Sequence, residues 1–501
     1  MRNLGSRSLN AVAWGGVGTV VRIAVQLGLQ ISLARILGPE QFGLFAIGAL
    51  VVGFSTFFAD FGIAYGLIQK ERVSSEDIRF VFTWQVVVGL TVTIAMAAMS
   101  LLLARFFNEP RAGQVIVALS SVCFLNAVMA PSLNLLKREL DFRSVQLGNL
   151  LGYAIGYGAI GLSLALCGAG VWSLVSAWIA QSLIMLVYLY GKTRHPLKPL
   201  WSYSGARDSS SYGLIVLVTN LVNWVIQNVD RIIIARVFTS AEVGLYSTAF
   251  TILHSPTSSI LGVVQPVFFS ASSRIVSEPR RIVTAYRSMI AAIAIFALPC
   301  FASLAVVADT FVLTVYGEQW RGASAVLAPM ALCMPLFLIW GMTTPLIWVG
   351  GQPQREFRSQ LPTALLWVIA CLASAQVSLS ALAWTVLVLY GIRCLTLLRV
   401  ARGVIGLSGI EVWNAAKPGI WLSVVCALAV AASDQTMRDV LPIPLLAVNV
   451  LAGAMVMLGG LLFVPQIWGR DLGALVQRIA SWLPPYVARS VLAASIKEKS
   501  A

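Results

Sequence analysis

The chain has 501 residues, about 290 of them apolar (58%) and only 11% charged, with a mean hydropathy of +0.84. Soluble domains are roughly 45–50% apolar and 25% charged, so a soluble globular enzyme, a disordered chain and a secreted disulfide scaffold are excluded. A β-barrel is also disfavoured, because alternating strands keep mean hydropathy low. The 35 Lys+Arg against 20 Asp+Glu leave a net charge of +15; in a membrane protein that excess bears first on which side of the bilayer the cations face.

A spanning helix takes about 20 apolar residues. Windows of that kind fall near 11–36, 41–64, 80–104, 112–136, 147–167 and 171–190. After a polar stretch they resume near 212–237, 243–269, 288–308, 322–349, 361–378, 379–400, 418–433 and 440–464. The first window, from Ala11 to Leu33, is too long for a signal-peptide core and has no small-residue cleavage site, so it reads as a retained span. The expected fold is an all-α polytopic membrane protein of about fourteen transmembrane helices. It comprises an N-terminal six-helix lobe (1–190), a basic linker loop (191–211), a second six-helix lobe (212–400), an additional helix pair (401–465) and an amphipathic tail (466–501).

With the N-terminus in the cytoplasm, 27 Lys/Arg fall in cytoplasmic segments and six in external loops: Arg35, Arg105, Arg111, Arg236, Arg321 and Arg438. Arg22 and Arg231 remain, both inside spans. Such a one-sided bias predicts an even number of spans with both termini cytoplasmic.

The two six-span halves read as duplicates at an offset of 201 residues. Ala34-Arg35-Ile36-Leu37 matches Ala235-Arg236-Val237-Phe238, and Gly43-Leu44-Phe45 matches Gly244-Leu245-Tyr246. Inside the spans Gln26 falls on Gln227, Arg22 on Asn223 and Thr19 on Asn220. The turn differs: Gly38-Pro39-Glu40-Gln41 in the first copy stands against Thr239-Ser240-Ala241-Glu242 in the second. An even number of spans per copy relates the halves by an axis along the membrane normal, an arrangement that puts a substrate path at the repeat interface.

Two polar stripes carry the candidate site. Asn220, Asn223, Gln227, Asp230 and Arg231 lie within roughly 100° of one another on span seven, and Thr19, Arg22, Gln26 and Gln30 within about 80° on span one. Charge facing lipid at mid-bilayer costs about 3 kcal/mol or more, so these stripes face the bundle interior. They serve either as hydrogen bonding between helices or as the lining of a polar cavity. An arginine in such a cavity suits an anionic substrate, because guanidinium pairs bidentately with phosphate oxygens. Asp60, near the cytoplasmic end of span two, is a candidate coupling residue, with pairing to a loop base as the alternative.

Other signals point away from chemistry. The seven cysteines are odd in number and lack metal spacing, so they read as small apolar core residues. His195 and His254 have no metal-spaced partner. The GYGAIG run at 156–161 matches a dinucleotide fingerprint only formally, since it follows no strand; Gly148, Gly152 and Gly156 instead form a stripe for close helix contact. No phosphate-binding GxxxxGK[ST] loop is present. No cofactor, metal, nucleic-acid partner or enzymatic activity is expected.

The run LARILGPEQFGLF from Leu33 to Phe45 resembles the join of the first two spans in Wzx-type polysaccharide transporters. FADFGI from Phe58 to Ile63, and the Asp230-Arg231 step followed by Gly244-Leu245-Tyr246, are similar to that family too. It belongs to the superfamily of multidrug, oligosaccharidyl-lipid and polysaccharide exporters. The resemblance implies two six-helix lobes and alternating access. It also implies an undecaprenyl-diphosphate-linked oligosaccharide as substrate, flipped to the periplasmic leaflet for exopolysaccharide, capsule or O-antigen synthesis. Membrane lipid, a polysaccharide polymerase and a chain-length regulator are the implied partners. A final helix pair is more like the lipid II flippase branch. In that frame Arg22 is the phosphate anchor, while Gln26, Asn220, Asn223 and Gln227 meet sugar hydroxyls. The competing readings are a cation-coupled drug exporter, which needs more buried carboxylate than Asp230, and a membrane polymerase or ligase, which needs a larger external loop than this chain has.

Overall fold

The computed structural model describes residues 2–60, 67, 73–202, 224–275, 278–437 and 442–463, excluding the side chains of 2–20, 56–60, 279, 353, 462 and 463. The described residues are helices and short connections, with no strand among them. Eleven of the helices are long and apolar enough to cross a membrane. The chain forms two compact units, Met1–Thr248 and Ala249–Ala501.

In the first unit, α1 (Arg2–Asp60) contains both of the first two predicted spans, broken at Gly38 (φ 75°) with Pro39 following. α2 (Ser75–Phe106), α3 (Ala112–Arg138), α4 (Phe142–Leu166) and α5 (Val171–Thr193) follow, then α6 (224–237) and α7 (Ser240–Ser273), whose first residues belong to this unit. In lipid, apolar burial does not drive helix association; close van der Waals packing through small residues does. The Gly148/Gly152/Gly156 stripe acts this way. A Cβ at Gly152 would stand 2.9 Å from the Gln181 carbonyl, and one at Gly156 2.6 Å from that of Ala177, so α4 lies directly on α5. α4 passes through a π-helical stretch, Ala154–Gly161.

The start of the linker is tied down along α2. Arg79 Nε donates to the Lys198 carbonyl (3.0 Å), the Leu200 amide to Thr83 Oγ1 (2.8 Å) and Trp84 Nε1 to the Trp201 carbonyl (3.2 Å). His195 is buried there between the rings of Phe82 and Tyr190, and burial pushes its imidazole below the ordinary value.

In the second unit, residues 279–306 form α8, which includes a π-helical turn at Ile293–Ala297. α9 (Ala308–Val315), α10 (Ser324–Val349), α11 (Pro353–Ala375), α12 (Leu379–Ile405), α13 (Gly409–Thr436) and α14 (Pro442–Phe463) complete it. α13 begins at a Ser408/Glu411 capping box, which satisfies two otherwise orphaned backbone donors. The α13–α14 pair is stitched to α9: Asp434 accepts from Thr310 Oγ1 (2.7 Å) and Asn449 Nδ2 (2.8 Å), and Thr314 Oγ1 donates to the Pro442 carbonyl (3.1 Å). Five of the seven cysteines are buried, while Cys167 and Cys300 are exposed.

Candidate functional site

Of the predicted stripes, the side chains of Arg22, Gln26, Gln30, Gln227, Asp230 and Arg231 are described; Asn220, Asn223 and the side chains of Thr19 and Asp60 lie outside the described residues. Arg22, Gln26 and Gln30 follow one another at four-residue spacing and are all half-buried. That spacing stacks them on one helix face. The Arg22 Nε is buried and has no acceptor among the described residues. A guanidinium inside a span with a donor left over has the chemistry to take an anionic oxygen.

On α6 the stripe divides. Gln227 is exposed and Arg231 half-buried, with Nη2 3.5 Å from the Gln227 carbonyl. Asp230 is only 4% exposed and accepts a 2.6 Å hydrogen bond from Tyr246 Oη on α7. Tyr246 is itself completely buried. The carboxylate therefore joins α6 to α7, and the helical-wheel angle that grouped it with Gln227 does not carry it to an open surface.

At one end of the unit, the end that the charge count places outside, the α1 break and the α6–α7 turn cross. A Cβ on Gly43 would run into the Ser240 carbonyl and stand 2.8 Å from the Gly244 nitrogen; one on Gly244 would run into the Pro39 carbonyl and stand 3.0 Å from the Gly43 nitrogen. The two repeats build their turns from different chemistry. The first uses a positive-φ glycine and a proline opening the helix. The second uses Thr239, whose backbone amide and hydroxyl donate to Glu242 Oε2 (3.0 and 2.7 Å) while its oxygen accepts from the Glu242 amide (3.4 Å).

A polar clasp surrounds this crossing. Ser240 Oγ donates to Glu109 in the α2–α3 turn, and Arg111 bridges Glu109 (2.9 Å) and Glu40 (2.8 Å). The Arg111 hydrogen bond, aided by Ser240, holds the Glu109 carboxyl below its usual value despite partial desolvation. Arg236 lies over the Phe106 ring at 5.6 Å, and its carbonyl accepts from Asn108 Nδ2 (3.5 Å). Gln41 Oε1 accepts from the Val171 amide (2.9 Å), fastening α1 to the start of α5. Beside the clasp runs an apolar groove of about 490 Å³ between α1, α2 and α6, whose lining includes Phe54, Met99, Phe106 and Trp224.

Sequence reasoning missed one intramembrane cation. Arg393, counted among the cytoplasmic residues, lies inside α12 and is 4% exposed. The signal was present in the aromatic residues Trp340, Trp367 and Tyr390 and the isolated Glu356, which no lipid-facing role requires. Among the described residues, no cluster of His, Cys, Asp and Glu is arranged to hold a metal.

The chain resembles the lipopolysaccharide biosynthesis protein WzxC of Escherichia coli, with 20% identity over 75% of this chain and 77% of that one. It also resembles the succinoglycan biosynthesis transport protein ExoT of Rhizobium meliloti, with 24% identity over 60% of each. Among solved structures, the lipid II flippase MurJ in an inward closed conformation superposes with a TM-score of 0.68 at 14% identity, covering 91% of this chain and 99% of that one. These likenesses bear out the expected polytopic helical fold and the superfamily of exporters to which it was assigned. The model of the polysaccharide biosynthesis protein family matches residues 32–325, more than half of the sequence, and the chain belongs to that family, among the Wzx-type transporters.

Proposed function

We propose that this protein is a flippase for lipid-linked oligosaccharides. It moves undecaprenyl-diphosphate-linked repeat units from the cytoplasmic to the periplasmic leaflet of a bacterial inner membrane by alternating access. Both termini lie in the cytoplasm, and a polysaccharide polymerase and chain-length regulator act on the product. The observation that carries the reading is Arg22: a permanently charged group inside a span, half-buried, with its Nε lacking an acceptor among the described residues.

The physical requirements of such a substrate are two. Its diphosphate and sugars cannot enter hydrocarbon without a polar path, while its prenyl chain is as apolar as the bilayer. The Arg22–Gln26–Gln30 face supplies the first; hydroxyl-bearing sugars suit the amides, and diphosphate suits the guanidinium. The groove beside α6 supplies the second, since its apolar walls accept a hydrocarbon chain. The lobes 1–190 and 212–400 move as alternating halves, and the clasp around Gly43 and Gly244 is a contact that must open as they do.

The test is export of surface polysaccharide in a strain lacking the native gene and carrying Arg22→Ala or Arg22→Lys. Arg22→Ala abolishes export while the protein remains in the membrane, and Arg22→Lys restores a part, keeping charge but losing the bidentate fork. Normal export by Arg22→Ala would overturn the anchor role.

A further inference from the structure

The second unit holds another buried cation, remote in sequence from the stripes described above. Arg393 is 4% exposed, and its guanidinium carbon stands 3.5 Å from the centre of the Trp340 ring on α10. Tyr390, one turn earlier on α12, packs against Trp340 (5.7 Å) and against Trp367 of α11 (5.5 Å). Three donors in this cluster, Arg393 Nε, Arg393 Nη1 and the indole Nε1 of Trp367, are buried with no acceptor among the described residues. Buried donors are nearly always paired, and a charged one left over calls for an explanation.

The carboxylate nearby does not supply it. Glu356, 6% exposed at the start of α11, interacts electrostatically with Arg393. Its oxygens are already engaged by Thr344 Oγ1 (3.0 Å), Gln360 Nε2 (2.9 Å) and Trp348 Nε1 (2.7 Å). A buried ion pair built for its own sake places the guanidinium fork on the carboxylate. Here neutral donors hold the carboxylate, and Arg393 Nε and Nη1 are left without an acceptor among the described residues.

We propose that Arg393 and Trp367 form an anion-binding site in the second unit that takes a phosphate-class oxyanion, carried on a lipid head group or free. Arg393 Nε and Nη1 and the indole Nε1 of Trp367 are the donors the site offers to phosphate oxygens. The rings of Trp340 and Tyr390 keep water away, which strengthens every charge interaction inside. Glu356 orders the start of α11 around the site and, by its charge, limits how tightly the anion is held. The site lies in the second unit, and its occupancy is measurable without any transport.

The experiment uses the full-length protein in nanodiscs of neutral lipid, titrated with inorganic phosphate, pyrophosphate or chloride, or reconstituted with increasing phosphatidic acid. Binding is read as a saturable rise in the thermal unfolding midpoint and, for the free anions, as displacement of radiolabelled phosphate. Arg393→Gln weakens binding at least about tenfold, as expected for loss of a bidentate charged contact. Trp367→Phe, which keeps the ring and removes one donor, weakens it by about threefold. Glu356→Gln tightens it, and every variant is compared in an Arg22→Gln background, so that the Arg22 face contributes nothing to the reading. A response to phosphatidic acid alone identifies the head group as the source; a response to phosphate or pyrophosphate alone identifies the free anion. The proposal is overturned if no phosphate probe binds the wild type, if chloride alone does, or if binding survives both Arg393→Gln and Trp367→Phe. It is equally overturned if Glu356→Gln abolishes binding, since the two residues would then form a structural ion pair.

Discussion

Gly43 and Gly244 pack backbone against backbone, and each reaches the other's turn at the equivalent residue. Gly43 abuts the Ser240 carbonyl and Gly244 abuts that of Pro39. The pairs 43/244 and 39/240 share one 201-residue offset, so this contact is reciprocal in the way that residues on a two-fold axis are. A methyl group at either position has only backbone to displace, which cannot rotate away. Gly43→Ala and Gly244→Ala are each expected to destabilise the protein by about 1–3 kcal/mol, seen as a lowered unfolding midpoint in detergent, and to reduce polysaccharide export. Gly262→Ala, where an added Cβ meets nothing within 4 Å, is the control and should leave the midpoint unchanged or slightly raised. Equal midpoints for all three would refute the close crossing.

The clasp around that crossing is unevenly weighted. The Arg111 and Glu40 side chains are 54% and 53% exposed, whereas that of Glu109 is 13% exposed. Exposed pairs contribute about 0–1 kcal/mol, so Glu40→Ala should have little effect. Glu109→Ala leaves Ser240 and Arg111 without their shared acceptor and should open the external end. A cysteine pair at Asn108 and Arg236 reads this directly: cross-linking should be nearly unchanged in Glu40→Ala and clearly reduced in Glu109→Ala.

The same carboxylate sets a pH dependence. Arg111 is the main cause of its lowered pKa, with Ser240 assisting. A carboxyl depressed in the folded state contributes its stabilisation above its free value, here 4.5, and loses it as pH falls through the lowered value. Cross-linking across Asn108 and Arg236 should therefore be constant at neutral pH and fall only below about 4.5. The Glu109→Gln protein should show no such fall. A transition near pH 6 to 7 would assign the response to another group.

Asp230 yields a prediction of the opposite kind. Its 2.6 Å bond from a fully buried tyrosine makes it a fastening between α6 and α7. Asp230→Asn retains an acceptor for Tyr246 and should keep most export, while Asp230→Ala strands the buried hydroxyl and should cost about 1–3 kcal/mol. Tyr246→Phe should cost about 1 kcal/mol with export preserved. Loss of export in Asp230→Asn without loss of stability would return this residue to the substrate path.

Hydropathy made the helices legible because an apolar window of spanning length has few alternatives in a membrane. Even so, the starts of α11 and α13 precede the sequence windows. Residues 353–360 and 409–417 are polar enough to read as loop yet open on helix-initiating chemistry, Pro353 and the Ser408/Glu411 box. The position of Arg393 was hidden for a related reason. It falls inside the 379–400 window yet was counted with Arg399 and Arg402 as cytoplasmic, and only the helix running on to Ile405 sets it well away from the end. The role of Asp230 was invisible because its partner is 16 residues away on the next helix, beyond any single-helix wheel. The offset of 201 was readable from short identities, but that it brings Gly43 onto Gly244 required the fold.

Removing Arg393 from the cytoplasmic tally leaves 26 cations inside against six outside, so the bias keeps its sign and predicts the same orientation. That orientation is open to direct labelling. In a cysteine-free background, single cysteines at the exposed positions 35 and 321 should react with an impermeant maleimide in intact cells, and one at the exposed position 358 only after permeabilisation. A cysteine at 393 should react in neither case, because the helix places it within the bundle and not at its end. Labelling of 358 from outside would invert the topology. Ready labelling of 393 from the cytoplasmic side would return Arg393 to the loop in which its neighbours Arg399 and Arg402 were counted.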